Sequence, residues 1–341
     1  MTDGRWWHSE RHRDRRPFLL MRGQVRRTLS DWFAQEGFLE VDCAALQASP
    51  GNETHLHAFE TAFRTDDGDT RPLYLHTSPE FSCKKLLAAG EEKIVDFAKV
   101  FRNREQGPLH SPEFTMVEWY RTGADLHAVM QDAVDLCRAA LKATGLPALA
   151  WRGRTCDPDR APEYLTLTEA FQRHAKMDLN GLLHDRDGFL DAARGAGVGV
   201  PDDASWSDIF SAVLVTLIEP VLGDERLTML YRYPVCEAAL ARACPDDPRF
   251  AERFEMYACG VELANGFHEL TDAAEQRERF EADMDLKQEL YGERYPIDED
   301  FLEALGSMPD ASGVALGFDR LVILASGARS IQDVQWTPVE T

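Results

Sequence analysis

The chain of 341 residues carries 59 acidic side chains against 37 basic ones, a formal net charge of −22, and 44% of its residues are hydrophobic. That length can bury one large core or two ordinary ones, and so acidic a balance works against indiscriminate binding to nucleic acid while leaving room for a local basic patch. The seven cysteines, odd in number and without a CxxC pair, argue against a disulfide framework and a structural zinc site, and fit a reducing compartment.

At the N-terminus Arg5, Arg11, Arg13, Arg15 and Arg16 cluster within residues 1–16, a stretch expected to be a flexible basic terminus rather than a binding arm. From Pro17 onward Phe18, Met21, Val25, Leu29, Trp32 and Phe33 recur at three- and four-residue intervals. This predicts a helix closed near Gly37, and a short strand follows at 38–42. Thr77, Ser78, Pro79 and Glu80 stand in the preferred order for a helix start, with Ser78 as N-cap and Pro79 in the first helical position. Residues 100–121, VFRNREQGPLHSPEFTMVEWYR, read as strand, polar loop and strand. The second strand alternates, so Phe114, Met116, Glu118 and Tyr120 share one face while Thr115, Val117 and Trp119 take the other. An amphipathic helix is predicted over 125–143, ending near Gly145. Residues 151–162, rich in Pro, Asp and Arg, read as a surface loop, and helical patterns return near 167–174 and 206–218. The most apolar stretch, 209–218, is too short to cross a bilayer, and the N-terminus has charge without an apolar run, so a cytoplasmic protein is expected. Residues 122–250 as a whole read as an insertion of mixed structure whose role the pattern leaves open. Two strand-like runs in 253–270, broken at Cys259 and Gly260, predict a hairpin with Tyr257 opposite Glu262 and Glu255 opposite Ala264. The last motif is GVALGFDRL, 313–321, a glycine-rich strand feeding a helix that opens at Asp319 and Arg320.

Chemistry concentrates at two of these places. The Phe114–Tyr120 face, with Arg102 before the loop, offers a flat surface for a base, a cation for phosphate and a carboxylate for an amine, which are the needs of amino-acid adenylation. An aromatic-rich alternating strand is as readily one layer of a core, so the residues alone leave both readings open. In the hairpin, Glu255 and Glu262 fall on one face and repel unless a cation lies between them, for which magnesium held with nucleotide phosphates is the natural occupant; a solvated hairpin edge is the alternative. Strict alternation places Asn265 on the opposite face, and its use there requires a bulge, which Gly266 can supply.

Segment 100–121 resembles motif 2 of class II aminoacyl-tRNA synthetases, and GVALGFDRL resembles motif 3, in the right order and about 200 residues apart. The helix from Pro17 and its strand resemble motif 1, which builds the dimer interface, with Ala44 where a proline is usual. GVELANGFHEL resembles the lysine-specificity block of class II lysyl-tRNA synthetases. From about residue 17 to about 330, with ELANGFHELTDA and MPDASGVALGFDRL, the chain closely resembles the elongation factor P lysine lysyltransferase family, synthetase paralogues lacking the anticodon-binding domain. Only about 16 residues precede the first helix, too few for such a domain.

The resemblance implies an α+β fold with an antiparallel sheet flanked by helices, a single catalytic domain over 17–341 and a homodimer. It implies activation of lysine, or (R)-β-lysine, by ATP with magnesium, and transfer to a lysine side chain of elongation factor P, with tRNA an unlikely acceptor. It assigns Arg102 and Arg320 to catalysis and Glu255 and Glu262 to the metal. Ser78, Pro79, Glu80, Glu118, Tyr120, Asn265, Glu269 and Ala315 would meet the substrate, with Glu269 on its side-chain ammonium. Arg102, Asn103, Arg104, Ser111, Phe114, Glu262, Leu263, Gly317 and Arg320 would meet ATP. Two residues depart from motif 2: Arg104 stands where a glutamate is usual and Ser111 where an asparagine is usual. An arginine cannot accept from an adenine amino group, so either Glu105 moves into that role or Arg104 serves phosphate. A free-standing lysyl-adenylate enzyme acting on tRNA or another amine, and a non-catalytic regulatory paralogue, are the two alternatives.

Overall fold

The computed structural model describes residues 5–340. Eight strands form the central sheet: β1 (Leu39–Val41), β2 (Lys93–Phe101), β3 (Glu113–Thr122), β4 (Glu163–Thr166), β5 (Thr228–Pro234), β6 (Phe250–Ala258), β7 (Val261–His268) and β8 (Ala311–Gly317). Their spatial order is β1-β2-β3-β8-β7-β6-β5-β4. The six central strands run antiparallel, and only the outer pairs β1/β2 and β4/β5 are parallel. One face is covered by α1 (Ser9–Gln35), α3 (Leu126–Thr144) and α5 (Phe318–Ser326). Their apolar sides meet Val117 and Trp119 of β3 in the main core. That is why β3 alternates: its odd positions are buried under helices, and Phe114, Met116, Glu118 and Tyr120 are left facing a cleft on the other side. Helix α2 (Glu80–Ala88) closes one end of that cleft, and α4 (Ala273–Tyr291) follows β7. Residues between Leu165 and Tyr233 pack largely on themselves, through stacked Phe171, Phe210 and Trp206, as a satellite core within the insertion.

Several expectations need correction. The first helix begins at Ser9, not Pro17, and so takes in half of the stretch expected to be loose; residues 1–4 lie outside the described residues. The cause is Arg15, 2% exposed, whose guanidinium donates to the carbonyls of Gln332 and Gln335 and ties this turn to the C-terminal segment. Pro17 is tolerated inside the helix at the loss of one backbone donor. Phe33, on the helix that resembles the interface-building motif 1, is core: its ring lies 5.1 Å from Phe38 and 5.6 Å from Trp119, with Trp32 packed edge-on against it. Residues 151–162 are not all loop, because Leu149–Trp151 and Arg154–Cys156 pair as a small hairpin turned by Arg152 and Gly153, both at positive φ.

The 253–270 hairpin turns at Cys259 and Gly260, with φ of 56° and 74°, which is the two-residue turn whose twist suits adjacent strands. Tyr257 pairs with Glu262, but Glu255 pairs with Asn265 and Met256 with Ala264, so Leu263 is skipped. The bulge therefore falls at Leu263 instead of Gly266, and it brings Asn265 onto the face shared by Glu255, Tyr257 and Glu262.

Candidate active site

A cleft of about 1030 Å³ opens on the uncovered face of the sheet, and its floor is built from β3, β8 and β7. Register alone juxtaposes its residues: Ala315 of β8 lies opposite both Glu118 of β3 and Asn265 of β7.

The inner end is acidic. Glu118, 1% exposed, accepts from Ser78 Oγ at 2.7 Å and from the Tyr120 hydroxyl at 2.5 Å, while Ser78 Oγ also accepts from the Glu80 amide at 3.0 Å. Glu269 lies directly after β7. Lys84 of α2 reaches Glu80 Oε1 and Glu269 Oε2, both at 2.6 Å, and its ammonium is as buried as the carboxylate of Glu269. Burial works against the Lys84 ammonium, but Glu269 and Glu80 outweigh it and push its pKa up, so it stays charged. Burial pushes the Glu118 carboxyl up to about 8, with Glu80 adding to the effect. Burial also raises Glu269 to about 7 against the pull of Lys84. Three acids thus share one internal cation. Glu269 Oε1 and Asn265 Oδ1 are buried and find no hydrogen-bond partner among the described residues. Unsatisfied buried acceptors of this kind are costly to leave and are met when a donor-rich ligand arrives.

The outer end is cationic. Arg102 lies 5.3 Å over the Phe114 ring and donates to the Thr77 carbonyl at 3.3 Å, leaving most of its guanidinium uncommitted but for Glu105 at 3.8 Å. Arg320, in the first turn of α5, donates to the Glu262 carbonyl at 2.9 Å and sits 3.3 Å from its carboxylate. Its other nitrogen meets His110 of the motif 2 loop at 2.8 Å. The neighbouring Asp319 is fixed by Arg22 of α1 and by the Thr115 amide at 3.1 Å, so the helix start that aims Arg320 is anchored from both sides.

Of the residues singled out in the sequence, Ser78, Glu80, Arg102, Phe114, Glu118, Tyr120, Glu262, Leu263, Asn265, Glu269, Ala315, Gly317 and Arg320 all line this cleft. Pro79, Asn103, Arg104, Ser111 and Glu255 do not. Arg104 is the clearest departure: at φ 66° it turns outward to pair with Glu293 and approach His57, and Glu105 occupies the cleft wall in its place. Asn103 is spent on the same turn, accepting from the Arg104 amide at 2.9 Å, and Ser111 is buried in the loop. Glu255 is held beside the cleft by Arg253 at 2.6 Å and the Tyr257 hydroxyl at 2.5 Å.

Four further residues matter that the pattern did not single out. Lys84 lies four residues after Glu80 on one helix face, a spacing that could have signalled it. Gly313 underlies the inner end, where a Cβ would come within 2.3 Å of the Tyr120 ring and 2.6 Å of Glu269 Oε1. His110 joins two distant motifs, and Glu219 is a third acid near Glu255 and Glu262. The Glu219 carboxyl is pushed up to about 7 by burial and then by those two.

Over residues 2–341 the chain matches the family model for tRNA synthetases class II (D, K and N). The chain belongs to this class II family. Within it, curated relatives from Salmonella dublin, Salmonella paratyphi B and Salmonella heidelberg, each named elongation factor P--(R)-beta-lysine ligase, are 40% identical over 323 residues, which is 93% of this chain and 94% of each relative. As a class II synthetase fold, the α+β sheet carries motif 2 on β2 and β3 and motif 3 on β8 and α5, and the cleft lies between them. No helix among the described residues is long and apolar enough to cross a membrane.

Proposed function

We propose that this chain uses ATP to activate lysine, preferentially its (R)-β isomer, as an aminoacyl-adenylate and passes the acyl group to a lysine side chain of elongation factor P. The observation that carries the reading is the charge layout of the cleft, with buried Glu118 and Glu269 and half-buried Glu80 at one end and Arg102 and Arg320 at the other. A neutral or acidic side chain would leave the desolvated acids uncompensated, whereas a diammonium substrate matches them. The names of the Salmonella relatives support the same substrate and acceptor.

In this reading the substrate carboxylate, already ionised, is turned by Asn265 toward the arginine end and attacks the α-phosphorus, so no general base is needed in the first step. Arg102 stabilises charge developing on the α-phosphate, Phe114 stacks on adenine, and Arg320 covers its far side and reaches the γ-phosphate. A magnesium ion would be held by Glu262 on the cleft wall with Glu255 and Glu219 beside it, acids whose mutual repulsion it would relieve; when bound it supplies charge neutralisation for the phosphates. Transfer then requires the acceptor amine to arrive deprotonated. The same reading makes the protein a cytoplasmic homodimer that does not use tRNA.

The test is magnesium-dependent ATP–pyrophosphate exchange with each lysine isomer, followed by acyl transfer to elongation factor P or to tRNA. Exchange with a lysine isomer and transfer to the protein acceptor are expected. No exchange with any isomer would reject adenylation, and transfer to tRNA alone would reject the acceptor.

A further inference from the structure

Cys43 and Cys83 are 40 residues apart in sequence, yet their sulfurs lie 3.7 Å from each other, and the Asp96 carboxylate completes a set of three ligand atoms all within 4.8 Å. Cys43 follows β1, Cys83 is on α2 and Asp96 is on β2, so three separate elements converge here. Bonds of about 2.3 Å from a tetrahedral zinc to two thiolates put the sulfurs about 3.8 Å apart, the spacing already present. Asp96, 4% exposed, is held by the Cys43 amide, which donates to Oδ2 at 3.1 Å and orients the carboxylate toward the thiols.

The electrostatics also favour a cation. Burial raises the Asp96 carboxyl, and the charges that act on it from Asp42 and Glu40 raise it further; only hydrogen bonds from Cys43 oppose them. The Cys83 thiol is pushed far up by its hydrogen bond with Cys43 and by burial, with Glu118 and Asp96 adding to the effect. No lysine or arginine is among the leading influences on either group. Cys43 is partly exposed and offers the route in, while Cys83 and Asp96 form the buried base.

We infer that Cys43, Cys83 and Asp96 form a binding site for a thiophilic divalent cation of the zinc class, with a fourth coordination position open toward Cys43. The two thiols release their protons to solvent as the cation binds, which relieves the repulsion around Asp96. The site clamps β1 and β2 to α2, the helix that carries Glu80 and Lys84, so it lies behind the substrate pocket without touching the substrate. Asp96 pairs across the strands with Glu118, on the same sheet face.

The experiment is titration of the reduced full-length chain with cobalt(II), followed by thiolate-to-cobalt charge-transfer absorption, and with zinc against a chromogenic chelator. One cobalt per chain with a charge-transfer band is expected. Cys43→Ser should lose the band and at least about 100-fold in zinc affinity, since even partners of a ligand are worth 10- to 100-fold. Asp96→Asn should weaken zinc while keeping the band, and Cys236→Ser, at an exposed cysteine away from the cluster, should change neither. Cys43 is partly exposed, so its variant should remain folded, as circular dichroism would check; if Cys83→Ser does not fold, the Cys43 and Asp96 variants still decide. Absence of a band, a band unchanged in Cys43→Ser, or formation of a Cys43–Cys83 disulfide in a chain that takes up no cobalt when reduced would each overturn the assignment.

Discussion

Binding of a cationic amino acid should expel a proton from Glu118. In the free protein its carboxyl sits at about 8, chiefly through burial, so at pH 7 about nine in ten molecules hold it neutral. A substrate ammonium within about 4 to 6 Å lowers a carboxyl by roughly 1 to 3 pH units, which places the bound value between about 5 and 7. From Glu118, between about 0.4 and about 0.9 of a proton should therefore leave at pH 7, with little release above pH 9, where the free carboxyl is already ionised. Affinity should rise with pH up to about 8 and then level. Stability of the free protein follows the opposite slope. The folded pKa is raised above its ordinary 4.5, the folded state binds more protons, and stability falls as pH climbs through that window. Calorimetric titration with lysine in phosphate and in Tris, whose ionisation heats differ, counts the protons released. Glu118→Gln keeps the shape of the side chain and should remove its share of the release, leaving that of Glu269. A wild-type count of zero at pH 7, or an unchanged count in Glu118→Gln, would refute the assignment of a neutral Glu118.

Three other substitutions probe the two ends of the cleft. Glu269→Gln should weaken lysine binding by about 3 to 5 kcal/mol, more than two orders of magnitude in Kd, because Oε1 would otherwise gain a desolvated ion pair, while ATP affinity stays near wild type; a calorimetric lysine Kd within about threefold of wild type would place the ammonium elsewhere. Arg102→Ala should abolish ATP–pyrophosphate exchange with little change in Tm, since it meets one carbonyl, a loose pair with Glu105 and the face of Phe114; parallel loss of stability and activity would mean a structural role. Ala315→Gly should shift preference toward α-lysine, because the methyl stands between Glu118 and Asn265 in register and removing it frees space where the amino group is held. An unchanged ratio of exchange efficiencies for the two isomers would move isomer selection to Glu80 and Tyr120.

What could be read from the sequence was local and periodic. Strand β3 was legible because a helix-covered face and a cleft face must alternate with period two, and Asp125 and Gly145 bracket α3 as an N-cap accepting from Ala128 and a left-handed C-cap. The turn at Cys259 and Gly260 was legible for the same reason, yet the bulge at Leu263 was not. A skipped residue leaves no compositional mark when Leu is apolar on either face. The helical reach of α1 back to Ser9 depended on carbonyls more than 300 residues away that Arg15 reaches. The outward turn of Arg104 depended in the same way on Glu293.

The cluster of Glu80, Lys84, Glu118 and Glu269 shows why the most consequential part of the site was the least legible. At a helix start an acid is sufficiently explained by the helix dipole, and a lysine one turn later by pairing with it, so the local reading ends in an ordinary surface pair. In the fold the same pair is pressed against β3 and the end of β7, and Lys84 becomes an internal cation shared by half-buried Glu80 and buried Glu118 and Glu269. A fully compensated cluster would bind nothing further, and an uncompensated one would strain the fold. Holding Glu118 neutral until a second ammonium arrives avoids both. Selectivity for a diammonium substrate then follows from the protonation state of one carboxyl as much as from the shape of the pocket.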